Sequence, residues 1–139
     1  MPKTITICGS MKFMSEMKEW QKKLESQEYH VVTPLLVDFH DLRDIQGDEK
    51  TFEEFKRRET KNHFEKIKNS DIVLVLNYDK NGAKNYIGGN SFAEIAYAVA
   101  LNYCHQKNIE IYTVNPIPED SPYSEELKAW QVKQWTSNE

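Results

Sequence analysis

Apolar residues along this chain fall into two alternating patterns, short continuous runs and longer stretches in which they recur every three or four positions. "TITIC" at 4–8 is a short β-branched run that stops at Gly9-Ser10. In the next stretch, "MKFMSEMKEWQKKLE", Met11, Met14 and Met17, or Met14, Met17, Trp20 and Leu24, are spaced as on one face of a helix. "YHVVTPLLV" predicts a second strand, cut near Pro34 because proline cannot continue a central ladder. Residues 38–48 are polar and irregular and predict a mobile loop near a site. Phe52, Phe55, Phe64 and Ile67 then carry helical phase over 51–69, with "TFEE" as a capping box at its start.

The run "DIVLVLN" at 71–77 is apolar throughout its middle, as expected of a central strand covered by helices on both faces. A turn-rich connection, "YDKNGAKNYIGG", leads to a helix whose stripe is Phe92, Ile95, Ala96, Val99 and Ala100. "IEIYTVNP" predicts the fourth strand. "SPYSEELKAWQVKQW" predicts a closing helix capped by Ser121, with Pro122 at its first position and Leu127, Trp130 and Trp135 on its apolar side. The order βαβαβαβα, wound with right-handed crossovers, gives a three-layer α/β sandwich with a parallel sheet of four or five strands. Ligands gather at the carboxyl ends of such strands, where the strand order reverses. The loops "CGSMK", "NYDKNGAKNYIGGN" and "NPIPEDSPYS" converge there by topology.

The 139 residues suit a single domain spanning 1–139. With 29% charged and 39% hydrophobic residues, the chain has the balance of a soluble globular protein, and no apolar run reaches the roughly 20 residues that a bilayer demands. The N-terminus enters a strand pattern without a charged-then-apolar leader, so a cytoplasmic protein without membrane contact is expected. A formal charge of −4 with scattered lysines and arginines argues against a nucleic-acid polymer as partner, and "KRR" at 56–58 reads as a solvated helix face. Cys8 and Cys104 read as free, mostly buried thiols. His30, His40 and His105 show no mutual spacing of the zinc type and neither cysteine joins them, so no metal site is expected. Trp20, Trp130 and Trp135 read as core or subunit contact.

Two readings stand open for Glu94. "SFAE" at 91–94 matches a capping box between Ser91 and Glu94, a structural role. Alternatively, Gly88 and Gly89 let the backbone take positive φ and approach a ligand, Asn90 and the helix N-terminus offer donors to an anion, and the helix dipole holds Glu94 ionised. An ionised carboxylate at a loop edge can attack or stabilise an electron-poor sugar carbon. Gly9 and Ser10 form a short phosphate- or hydroxyl-binding turn by position, without dinucleotide or P-loop spacing, and Lys12 can neutralise a phosphate. His63 lies near the end of the long helix before the third strand.

Together "CGSMK", "KIKNSDIVLVLN", "YIGGNSFAEIAYAVAL" and "IYTVNP" resemble the nucleoside 2-deoxyribosyltransferase-like family, over most of the chain. The resemblance implies a flavodoxin-like (Rossmann-like) parallel sheet and either transfer of 2-deoxyribose between bases or hydrolysis of a nucleotide N-glycosidic bond. It implies Glu94 as nucleophile. Where the family carries a carboxylate on the helix before the central strand, this chain has His63, so that role passes to imidazole, as general acid toward the departing base, or lapses. The "CGS" turn with Lys12 resembles the nucleotide hydrolases, whose basic residue here meets a 5′-phosphate. Gly9, Ser10, Lys12, Gly88, Gly89 and Asn90 are the implied substrate contacts. Ser124 or Glu125 is the residue lent to a neighbouring subunit's site, in at least a homodimer. The expectation is hydrolysis of a (deoxy)nucleoside 5′-monophosphate with no metal or organic cofactor. The alternatives are a nucleoside 2-deoxyribosyltransferase and a non-catalytic nucleotide-binding module.

Overall fold

A computed structural model describes residues 2–36 and 49–136, and the loop expected at 38–48 lies outside them. The element order is β1 (Thr4–Gly9), a 3-10 turn (Met11–Phe13), α1 (Met14–Ser26), β2 (His30–Val32), α2 (Glu49–Lys68), β3 (Ile72–Leu76), α3 (Gly89–His105), β4 (Glu110–Thr113), α4 (Ser124–Ala129) and β5 (Lys133–Gln134). The five strands form one all-parallel sheet in the order β2-β1-β3-β4-β5. It is a three-layer, Rossmann-like α/β fold, and its strand order reverses between β1 and β3.

Strand alternation sends successive side chains to opposite faces and so divides the core in two. Ile5, Ile7, Ile72, Leu74, Leu76 and Tyr112 pack on one face with Met17 and Leu24 of α1. Cys8, Val73, Val75 and Ile111 point to the other, against Ile67 of α2, Ile95, Ala98 and Val99 of α3, and Leu127 of α4. The central strand β3 is buried along its whole length, as its apolar run predicts. Among the described residues no helix is long and apolar enough to cross a membrane.

The closing segment departs from its predicted course. The helix there spans only Ser124–Ala129, with Tyr123 and not Ser121 at its N-cap, and the chain turns back as β5 beside β4. Gln131 takes φ 62°, and the amides of Gln131 and Val132 bond back to the carbonyls of Lys128 and Leu127. This is a Schellman stop, closed by the two apolar side chains Leu127 and Val132 in the same core. No glycine marks it, so the helical spacing of Trp130 and Trp135 misled. Trp130 stacks on Phe92, whereas Trp135 crosses to the other face and packs edge-on against Tyr112. The expected capping box at 51–54 does not hold, because Thr51 lies inside α2.

Candidate active site at the sheet's switch point

The backbone leaves β1 through Gly9, whose φ of 154° and close approach to the Leu76 carbonyl exclude a side chain; a Cβ there would lie 3.1 Å from that oxygen. Ser10 then caps the 3-10 turn, its Oγ accepting from the Lys12 amide at 3.2 Å. Beyond β3, a tight turn is closed by reciprocal 2.9 Å bonds between Lys80 and Ala83, with Asn81 and Gly82 at positive φ. It aims the Lys80 ammonium at Ser10 Oγ, 3.1 Å away, and over the Tyr86 ring. Gly88 has φ −84° and extended backbone, so the expectation of positive φ at Gly88 and Gly89 does not hold. Its glycine serves close packing instead: a Cβ at Gly88 would stand 2.6 Å from the Tyr86 hydroxyl.

These segments border a cavity of about 700 Å³ at the carboxyl ends of β1 and β3, where the strand order reverses. Gly9, Ser10, Lys12, His63, Gly88, Gly89, Asn90 and Glu94 all line it. Ser124 does not. It is buried, and its hydroxyl donates to the carbonyls of Pro118 and Ser121, so it has no proton left for a neighbouring site, whereas Glu125 is exposed. Sequence reasoning missed Lys80, Tyr86, Lys56 and Lys66, which also line the cavity. The "DKNG" turn was the available signal for Lys80, since an Asn-Gly turn holds its preceding side chain in a set direction.

Glu94 is not a cap. α3 begins at Gly89 with Gly88 as its N-cap and no side-chain capping bond, which puts Ser91 inside the first turn and Glu94 beyond it. The carboxylate instead turns across to α2, where Oε2 lies 3.1 Å from His63 Nε2, with both side chains largely enclosed. Cys8 Sγ approaches the same Nε2 at 3.3 Å from β1. The Nδ1 of His63 has no hydrogen-bond partner among the described residues.

Burial governs the ionisation here. It pushes the Glu94 carboxyl from 4.5 up to about 8. It also lowers His63 from 6.5 to about 4, helped by the Lys66 ammonium and opposed by the Ile7 backbone. The Cys8 thiol rises well above 9.0, through burial first and the Glu94 charge second. Burial therefore works against the expectation of an ionised Glu94 at neutral pH. A helix dipole supplies about 0.3–1 kcal/mol and fades after the first turn, whereas the rise in Glu94 corresponds to about 5 kcal/mol of desolvation. Near neutrality the pair holds one exchangeable proton between carboxyl and imidazole.

The reading of His30, His40 and His105 as unsuited to zinc did not weigh His63: the donor atoms of Cys8, His63 and Glu94 all lie within 4.8 Å of one another, a set that could hold a metal ion. The other cysteine, Cys104, is exposed and not buried as expected. Comparison of the chain with protein-family models and with curated proteins finds no match.

Proposed function

We propose that this protein hydrolyses the N-glycosidic bond of a (deoxy)nucleoside 5′-monophosphate, with Glu94 as nucleophile. The observation that carries the reading is the Glu94–His63 contact inside a cavity that, among the described residues, four lysines border, Lys12, Lys56, Lys66 and Lys80, against two carboxylates, Glu59 and Glu94. In a chain of net charge −4, lysines outnumber carboxylates among the described lining residues, which favours an anionic substrate over a neutral nucleoside. The resemblance to nucleoside 2-deoxyribosyltransferase-like sequences supports the same chemistry.

The proton that the pair holds has a use in this reaction. As the carboxyl oxygen of Glu94 bonds to C1′, its proton passes to His63 Nε2 and on to the departing base nitrogen, so the C1′–N bond breaks with a neutral leaving group. Water then attacks C1′ of the glycosyl ester, releases Glu94, and returns one proton to the pair. The sum is bond hydrolysis to free base and sugar phosphate. Low local polarity strengthens both transfers, because no solvent shell competes for the carboxylate. Ser10, Lys12, Lys80 and the amides of Gly88, Gly89 and Asn90 hold phosphate and sugar. Glu125 of a second copy completes the site in a homodimer.

The test is incubation of the purified protein with a panel of nucleosides and 5′-monophosphates, followed by chromatography for free base. Base release from a monophosphate, faster than from its nucleoside, is the expected result. Release only when an acceptor base is present would assign the transferase reaction, and saturable binding without any free base would reduce the protein to a binding module.

A further inference from the structure

Cys8, His63 and Glu94 reach one another from three elements, β1, α2 and α3, and the proposed hydrolysis uses only two of them. The imidazole Nε2 stands at the centre, 3.3 Å from the Cys8 sulfur and 3.1 Å from the Glu94 oxygen. Zinc holds sulfur at about 2.3 Å and nitrogen or oxygen at about 2.0–2.2 Å, so tetrahedral ligands stand about 3.4–3.6 Å apart. The two separations from Nε2 fall a few tenths of an ångström short of that, while the Cys8 and Glu94 donor atoms stand within 4.8 Å of each other, so rotation of the carboxylate toward the sulfur would seat an ion.

Charge balance favours the same ion. A divalent cation bound to a thiolate and a carboxylate is neutral, the form that a buried site tolerates best. Binding replaces two protons: the thiol and the carboxyl each lose one, and both leave to solvent. Ligation through Nε2 places the ring proton on Nδ1, which has no partner among the described residues, so metal binding has to offset an unpaired buried N–H. Among the described residues the Lys66 ammonium acts on His63 and is tied to the Thr33 carbonyl at 3.0 Å, and Lys12, Lys56 and Lys80 also border the cavity, so the anionic thiolate and carboxylate have to outweigh them. Cys8 lies behind the cavity wall while His63 and Glu94 line it, so the fourth coordination position faces the cavity.

We propose that Cys8, His63 and Glu94 form a binding site for a zinc-class divalent cation, and that its occupancy silences glycosidic turnover. The second half rests on the role given above to Glu94, because a carboxylate bound to metal cannot attack C1′. The first half stands without it.

The experiment uses full-length protein carrying Cys104→Ser, which removes the exposed thiol, after stripping with a chelator. Competition with a chromophoric zinc chelator should give one ion per chain at micromolar affinity or tighter. Cobalt(II) in its place should give a thiolate-to-metal absorption band in the near ultraviolet. Cys8→Ser in the same background should weaken zinc binding at least tenfold and abolish the cobalt band. No stoichiometric zinc, equal affinity after Cys8→Ser, or cobalt bound without the thiolate band would each overturn the site, and the last needs no Cys8 variant to fold. If the stripped protein releases base, equimolar zinc should stop it and chelator should restore it. Stoichiometric binding with undiminished turnover would overturn the silencing, while absence of turnover under all conditions would reject the hydrolase reading and leave the metal site standing.

Discussion

Glu94→Gln keeps the shape of the side chain and removes its ionisation, and the structure assigns this change an effect opposite in sign to loss of a helix cap. Burial holds the folded carboxyl at about 8 against 4.5 when solvated. Below pH 4.5 both folded and unfolded chains carry this proton, and the group is neutral to stability. Between pH 4.5 and 8 the unfolded carboxyl ionises while the folded one does not, so each rise in pH draws the equilibrium toward unfolding. At pH 7 this amounts to about 3 kcal/mol, and the proton shared with His63 reduces the expectation to about 1–3 kcal/mol. Metal-free Glu94→Gln should therefore be more stable than the parent protein at pH 7 by that amount, while base release falls by orders of magnitude. Urea titrations followed by tryptophan fluorescence at pH 5, 6, 7 and 8, with chelator present, measure the difference; it should grow with pH. A variant less stable by about 0.5–2 kcal/mol at every pH would match loss of a cap and refute the argument.

Three further substitutions probe what builds the site. Gly9→Ala forces a side chain into a left-handed backbone position and against the Leu76 carbonyl, so thermal or urea unfolding should show a loss of about 1–3 kcal/mol. Asn77 is fully buried just after β3, its side-chain amide donating to the carbonyls of Asn115 and Pro116 and its Oδ1 accepting from the Asn115 amide. Asn77→Leu should cost about 2–4 kcal/mol in the same measurement, and retention of full stability would mean that the clasp contributes nothing. Lys80→Met removes the cation that meets Ser10 and lies over Tyr86 while keeping an unbranched side chain; KM for a 5′-monophosphate should rise about tenfold or more with the nucleoside unaffected, and equal changes for both would separate Lys80 from the phosphate.

Local rules were enough to read the layers of this protein. Ile5, Ile7 and Cys8 announce a strand by alternation and branching, the run at 71–77 announces a covered central strand, and the stripe from Phe92 to Ala100 announces α3. These patterns act between neighbours a few residues apart, and the parallel order follows because crossovers have one hand. The convergence of the Gly9–Ser10 turn with the segment that carries Gly88, Gly89 and Glu94 was legible for the same reason, since loops at the carboxyl ends of parallel strands must meet, whereas His63 on α2 was placed there only by the resemblance.

Tertiary contacts decided the rest. Ser91 and Glu94 carry the spacing of a capping box, yet the N-cap lies three residues earlier at Gly88 and the carboxylate crosses to α2. A glycine-free Schellman stop at Gln131 turned a predicted helix into β5, because the pairing of Leu127 with Val132 and a place beside β4 outweigh the strain of a left-handed glutamine. Cys8 and His63 stand 55 residues apart, and no spacing rule joins them. Periodicity reports which face a residue takes within its own element; the state of its proton depends on how many atoms from other elements displace water around it, and only the packed molecule contains that information.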